Sequence, residues 1–344
     1  MKSRLNLALV LVAIVGITSF LFWGGVRRID AQQPELVAVK VPRAPTIDGT
    51  VEGLWNQAKP LTIKVAGGAN QGSHEVRVRA VYSGDSVYFL AEWNDKTQSL
   101  RRFPWQKQAD GSWKQLITGE KNDSNAYYED KLAMIWDINI TGFQQAGCFA
   151  ACHAGESPSG SPYGNKYTPN PGELADIWHW KSVRTNPVGQ IDDQYLDSSR
   201  YDKEKAAEAG RHSDPKESGG YSDNKTKDGK VPPFAQPGNK PAPPYWITDA
   251  QKMAFDDGKY KANDEVPGII VSPIKGDRGD IAGKGVYQNG RWTLEWGRKL
   301  VTGSKFDVQF SDLAKAYYFG VAVFDDAQVR HSFQSGSTRL TFRK

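Results

Sequence analysis

Apolar and polar side chains alternate with a period of two through much of this chain, and no stretch carries a sustained helical repeat. Residues 76–82 alternate in this way, as do residues 87–93 after the turn Gly84-Asp85. Residues 37–41 and 131–136 read as further strands. Between them, Ile47-Asp48-Gly49 forms a turn that leads to Trp55, which sets an aromatic over the end of a core. Near the C-terminus, residues 291–296 follow the turn Gln288-Asn289-Gly290, and residues 306–310 alternate. The near-continuous apolar run 317–324 suits a central strand, and residues 340–342 close the chain. Many short strands without a long amphipathic helix predict an all-β fold, an antiparallel β-sandwich. No internal repeat is evident.

The middle of the chain changes character. Residues 154–273 are rich in Gly, Pro, Ser, Lys and Asp, with little periodicity. Such a stretch is disordered or is a loop-rich insertion wrapped on a scaffold. Its aromatics, among them Trp178, Trp180, Tyr195, Tyr221 and Trp246, favour wrapping.

The N-terminus is different again. Residues 7–26 are apolar or small except for Thr18 and Ser19, long enough at about 1.5 Å per residue to span a bilayer. Residues 1–30 are therefore expected to be a signal anchor, one transmembrane helix, with a cleaved signal peptide as the competing reading. The folded domain is expected over 35–344. The formal net charge is +5, but Lys2, Arg4, Arg27 and Arg28 flank the apolar run, so the remainder is close to neutral. Nothing points to a nucleic-acid partner.

Both cysteines of the chain lie in Gly147-Cys148-Phe149-Ala150-Ala151-Cys152-His153. Two thioethers to the vinyl groups of a haem, with the adjacent imidazole on the iron, account for Cys148, Cys152 and His153 together. The usual attachment spacing has two residues between the cysteines; here there are three. A disulfide closing so short a loop restrains little of the unfolded chain, and it leaves His153 without a role. A structural zinc site takes four Cys or His ligands, and the other histidines are scattered. One covalent haem c is the expected cofactor. Haem attachment of this kind takes place outside the cytoplasm, so the domain is expected on the periplasmic side of the membrane, or free in the periplasm after cleavage.

Several fragments resemble the ethylbenzene dehydrogenase-related haem-binding domain, the haem subunit that accompanies molybdenum enzymes of the dimethyl sulfoxide reductase type. They are Ile47-Asp48-Gly49 with Trp55 and Ala58, the central Asp176-Ile177-Trp178-His179-Trp180-Lys181, and Phe319-Gly320-Val321-Ala322-Val323-Phe324-Asp325. The resemblance covers most of residues 35–344. It implies a β-sandwich holding one haem between sheet ends and loops as an electron relay. In the better-known members the haem is b-type, held by a Met and a Lys. This sequence departs from that pattern, with no methionine between Met134 and Met253 and no lysine between Lys315 and Lys344. The resemblance therefore puts His153 in place of the family Met, and His331 in place of the family Lys.

Other ligand candidates stay open. His179 lies between two tryptophans, Met134 alternates with Leu132 and Trp136, and Lys181 would have to be neutral to bind iron. Trp178 and Trp180 are candidates to line the porphyrin. His74 and His212 read as surface residues. Asp192-Asp193, and Asp214 with Asp223, are candidate calcium ligands, although no calcium-loop spacing is present.

The expected function is that of a membrane-anchored mono-haem c-type cytochrome, not itself an enzyme, passing electrons to or from a molybdenum oxidoreductase or another redox protein. A carbohydrate-binding-type β-sandwich module without haem is the alternative. A gas sensor whose distal ligand leaves the iron is a weaker third reading.

Overall fold

Thirteen strands of one continuous sheet carry the fold in the computed structural model, which describes residues 33–119, 123–153 and 166–344. The first half of the chain contributes β1 (Glu35–Lys40), β2 (Leu61–Ala66), β3 (Ser73–Ser83), β4 (Ser86–Asn94) and β5 (Lys131–Asp137). The middle contributes β6 (Ala175–Lys181), β7 (Asp192–Leu196) and β8 (Arg211–Ser213). The remainder are β9 (Ala282–Gln288), β10 (Arg291–Lys299), β11 (Tyr317–Phe324), β12 (Ser332–Gln334) and β13 (Thr338–Arg343). Helix is nearly absent: α1 (Phe143–Ala146) is the only α-helix among the described residues. The apolar run 7–26 lies outside the described residues, and among those described no helix is long and apolar enough to cross a membrane.

The sheet order is β8-β7-β6-β5-β11-β12-β2-β3-β4-β10-β9, with β13 joining β11 to β1 and β1 running on to β3. The pairs of β1 are parallel; the others are antiparallel. The sheet folds over so that β4 and β10 face β5 and β6. Phe89 of β4 lies 5.8 Å from Trp136, 5.6 Å from Trp178 and 5.4 Å from Trp296, ring centre to ring centre. Trp180 meets Trp93 at 5.9 Å and Trp292 at 4.9 Å. Full burial of each such side chain is worth roughly 1.5–3 kcal/mol, so this aromatic layer is a major source of cohesion.

The two ends of the sheet are also tied together. Gln190 bridges Ala282, and the Ile191 and Gly283 amides donate to the Ile281 and Gly189 carbonyls at 3.0 and 2.9 Å.

The turn at Ile47-Asp48-Gly49 is organised by a buried acid. Glu295 of β10 accepts from the Trp55 indole at 2.8 Å and from the Gly49 amide at 2.8 Å. Trp55 then packs with Val41, Ala58, Val81 and Leu90.

Three expectations are corrected. The stretch 154–273 is not all insertion, because β6, β7 and β8 belong to the main sheet. Every residue of β6 is buried, so both of its faces are covered and alternation cannot show. Residues 306–310 form no strand. Val308 and Phe310 pack into the core, but the Gln309 amide donates to the Thr302 hydroxyl and the Ser304 carbonyl, and Asp307 faces Arg298. His74 is buried rather than superficial, its Nδ1 3.0 Å from the Asn94 carbonyl.

Candidate functional site

The outer face of β11, β5, β6 and β7 carries a cavity of about 720 Å3, within the range of small-molecule and cofactor pockets. Strand register explains its floor. Gly320, Ile135, Ile177 and Gln194 form one cross-strand row, and Ala322, Ala133, His179 and Asp192 the next. A third row is Phe324, Lys131 and Lys181. Gly320, Ala322 and Ala133 keep the floor low. A Cβ on Gly320 would stand 2.7 Å from the Cys148 sulfur, so the cysteine loop packs directly over that glycine.

That loop follows β5. Single-turn α1 ends at Gly147, whose positive φ and close approach to the Gly336 carbonyl leave no room for a side chain. A tight turn over Cys148–Ala150 follows, and the His153 amide donates back to the Cys148 carbonyl at 3.0 Å. The extra residue between the cysteines is absorbed in this turn. Cys148, Cys152 and His153 all line the cavity. Both cysteines are free thiols, and burial pushes both upward in pKa, against a role as reactive thiolates.

His331 arrives from the other side, on the loop between β11 and β12. Its ring lies 5.4 Å from that of His153. His331 Nδ1 is 2.9 Å from the Val329 carbonyl, an arrangement that fixes the tautomer and leaves Nε2 to face a ligand. Burial, and then His153 beside it, push its pKa down to about 3. His153 is lowered in the same sense by burial and Lys166. Phe333 and Phe324 pack beside the pair at 4.8 Å from His153 and His331 respectively.

His179 is the third histidine of the cavity. It stacks on Phe324 at 5.3 Å, holds Gln194 Oε1 with Nδ1 at 3.3 Å, and has no partner at Nε2. Burial, with Lys181 next, holds it neutral.

The remaining candidates are otherwise engaged. Lys181 is paired with Asp192 and donates to the Tyr221 hydroxyl at 3.0 Å, so it is not free to bind iron. Met134 sits at the cavity floor but alternates with Leu132 and Trp136 and belongs to the core between the layers. Trp178 and Trp180 point into that same core, on the face of β6 opposite the cavity, and do not line it. His212 is partly exposed and stands 3.2 Å from Asp197.

Sequence reasoning missed the cationic lining. Lys131, Lys166, Lys181, Arg184 and Arg211 border the cavity. Arg184 pairs with Glu129, and Arg211 with Glu208 at 2.6 Å. Lys131 is 2% exposed, donates to the Gln328 carbonyl at 2.9 Å and stands 3.9 Å over the Phe324 ring. No carboxylate among the described residues forms a salt bridge with it. Burial pushes it well down in pKa, and burial takes Lys166 to about 8. Such a lining suits a ligand that carries carboxylates.

A family model described as Ethylbenzene dehydrogenase matches residues 52–336, which run from before β2 through β12 and include the whole cavity. The chain belongs to the ethylbenzene dehydrogenase family. No curated protein matches it. Among solved structures, it is similar to a carbohydrate binding module of family 9 from Caldicellulosiruptor kristjanssonii in complex with cellotriose. That match has 9% identity and a TM-score of 0.35, over 90% of this chain and 95% of the other. The same module in complex with glucose matches at 10% identity and a TM-score of 0.33, over 90% and 97% of the two chains.

Proposed function

We propose that the domain is a mono-haem c-type cytochrome that relays electrons and is not itself catalytic. The observation that carries this reading is the convergence of Cys148, Cys152, His153 and His331 on one cavity of the family-matched domain. Cys148 and Cys152 would hold the haem by adding their thiols across its two vinyl groups, which needs no oxidant and expels no leaving group. His153 and His331, whose rings stand 5.4 Å apart, would hold its iron. Lys131, buried and in no salt bridge among the described residues, would meet a haem propionate. When bound, the haem would supply one-electron chemistry.

The residues around it hold and insulate. Phe324 and Phe333 exclude water beside the histidines, and His179 stands as a further imidazole in the same wall. The redox partner is a molybdenum oxidoreductase or another respiratory protein, and the N-terminal segment anchors the domain on the periplasmic side of the membrane.

The test is a pyridine haemochrome spectrum on protein expressed with cytochrome c maturation machinery, beside a haem-stained denaturing gel. A c-type α-band with haem staying on the chain is expected. A b-type band removes the thioethers from the reading, and absence of haem overturns it in favour of a binding module.

A further inference from the structure

The opposite face of β6 and β7 carries a second, unrelated constellation. Asp176 of β6 and Asp193 of β7 point toward the core, where Asp307 of the loop after β10 joins them; one oxygen from each lies within 4.8 Å of the others. Asp307 is shared with a second triplet, Asp214 just beyond β8 and Asp277 of the turn before β9, again within 4.8 Å. The two triplets join through Asp307, and one cation pairs with their members among the described residues. Arg298 pairs with Asp176 and Asp307, each at 3.1 Å, and no salt bridge to Asp193, Asp214 or Asp277 forms among the described residues.

The oxygens themselves point to a ligand. Asp176, Asp193, Asp214 and Asp307 are 0–3% exposed. One oxygen of each of Asp176, Asp193 and Asp307 has no donor, and Asp214 has none at either oxygen. The satisfied oxygens show by contrast what the fold provides: Asp176 accepts from the Val308 amide at 3.0 Å, and Asp307 from the Thr302 hydroxyl at 2.6 Å. Buried carboxylates left without donors or counter-charge are strongly destabilising.

We propose that this cluster is a calcium site, with Asp176, Asp193, Asp214 and Asp307 as ligands and Asp277 completing it. Two oxygens on one Ca2+ at about 2.4 Å lie at most about 4.8 Å apart, and the oxygens of each triplet lie within that distance of one another. The donors are all hard oxygens, with no nitrogen or sulfur to favour zinc or copper. Magnesium keeps several waters and takes one or two carboxylates, so it fits so many acids less well. The ion would join β6, β7, the segment after β8, the turn before β9 and the loop after β10. This inference does not rest on the haem reading. Of the calcium candidates in the sequence, Asp193 and Asp214 enter the site. Asp192 is taken by Lys181 and Arg278, and Asp223 by Arg102.

The test is calorimetric titration of CaCl2 into the chelator-stripped full chain at pH 8, with the melting temperature followed in parallel. One calcium per chain is expected, with a rise of several degrees in melting temperature and much weaker binding of MgCl2. Asp214→Asn should weaken calcium at least tenfold, and Asp228→Asn, on an exposed turn, should leave it unchanged. If Asp214→Asn fails to fold, TbCl3 bound to the unaltered protein and excited through Trp178 should luminesce, and calcium should quench it. No calcium uptake, with no terbium signal, would mean that the carboxyls hold protons instead and would overturn the site.

Discussion

His331 is positioned by one hydrogen bond to Val329 and by the rings of Phe324 and Phe333, so trimming its ring separates ligation from packing. His331→Ala should convert a low-spin haem spectrum to high-spin in optical and paramagnetic resonance spectra, while His179→Ala should leave it low-spin. An unchanged spectrum in His331→Ala would transfer the distal role to His179. Gly320 makes a steric demand rather than a chemical one. Gly320→Val should cut haem incorporation several-fold, read from haem stain per unit protein, because its Cβ would press on the Cys148 sulfur. Far from the cavity, Glu295→Ala would leave the buried Trp55 indole and the half-buried Gly49 amide without their acceptor. Each orphaned donor costs about 1–3 kcal/mol, so urea unfolding should show a loss of about 2–5 kcal/mol.

At the scale of elements, β6 and β7 each present one face to the cavity and the other to the acidic cluster, and the two faces respond differently to pH. Burial first, then neighbouring charges, raise Asp176 to about 7 and Asp214 to about 9, and Asp193 and Asp307 rise too. The folded protein therefore binds protons that the unfolded chain has released above pH about 4. Metal-free stability should be greatest in mild acid and fall as pH climbs through 7 to 9. Melting curves in chelator should show this fall, and saturating calcium chloride should remove most of it at pH 8. Asp95, raised to about 7 by burial and Asp325, adds a fall of the same sign; Asp214→Asn separates the two contributions. The sequence made β3, β4 and β10 readable because each has one covered and one more open face. It hid β6 because both faces are covered, one by the cavity's loops and one by tryptophans. The floor of the cavity was hidden for a related reason. In the apolar run of β11, the small residues Gly320 and Ala322 alternate with the large ones, and hydrophobicity alone does not register size.

Across the whole molecule, the aromatic layer between the halves of the sandwich lies on the face of β6 away from the cavity. Phe89→Ala should cost about 3–5 kcal/mol in unfolding free energy, yet leave the haem spectrum of the folded fraction unchanged. The sandwich itself was legible from strand count and the absence of amphipathic helix. The cysteine motif was legible because its residues are adjacent in sequence. The approach of His331 to His153 was reached only through the family pattern, since 177 intervening residues carry no local trace of it. The cationic wall was illegible and the acidic cluster legible only through Asp193 and Asp214, since both are assembled from segments that meet only after the sheet has folded over.

The tie between the ends of the sheet, at Gln190 and Ala282, reaches beyond stability. An open sheet presents rows of unmatched amides and carbonyls that template aggregation between copies of a chain. Here the start of β9 is already bonded to the segment leading into β7, and β8 is only three residues long. A neighbouring copy thus finds little backbone to extend. Contact between copies is left to side chains.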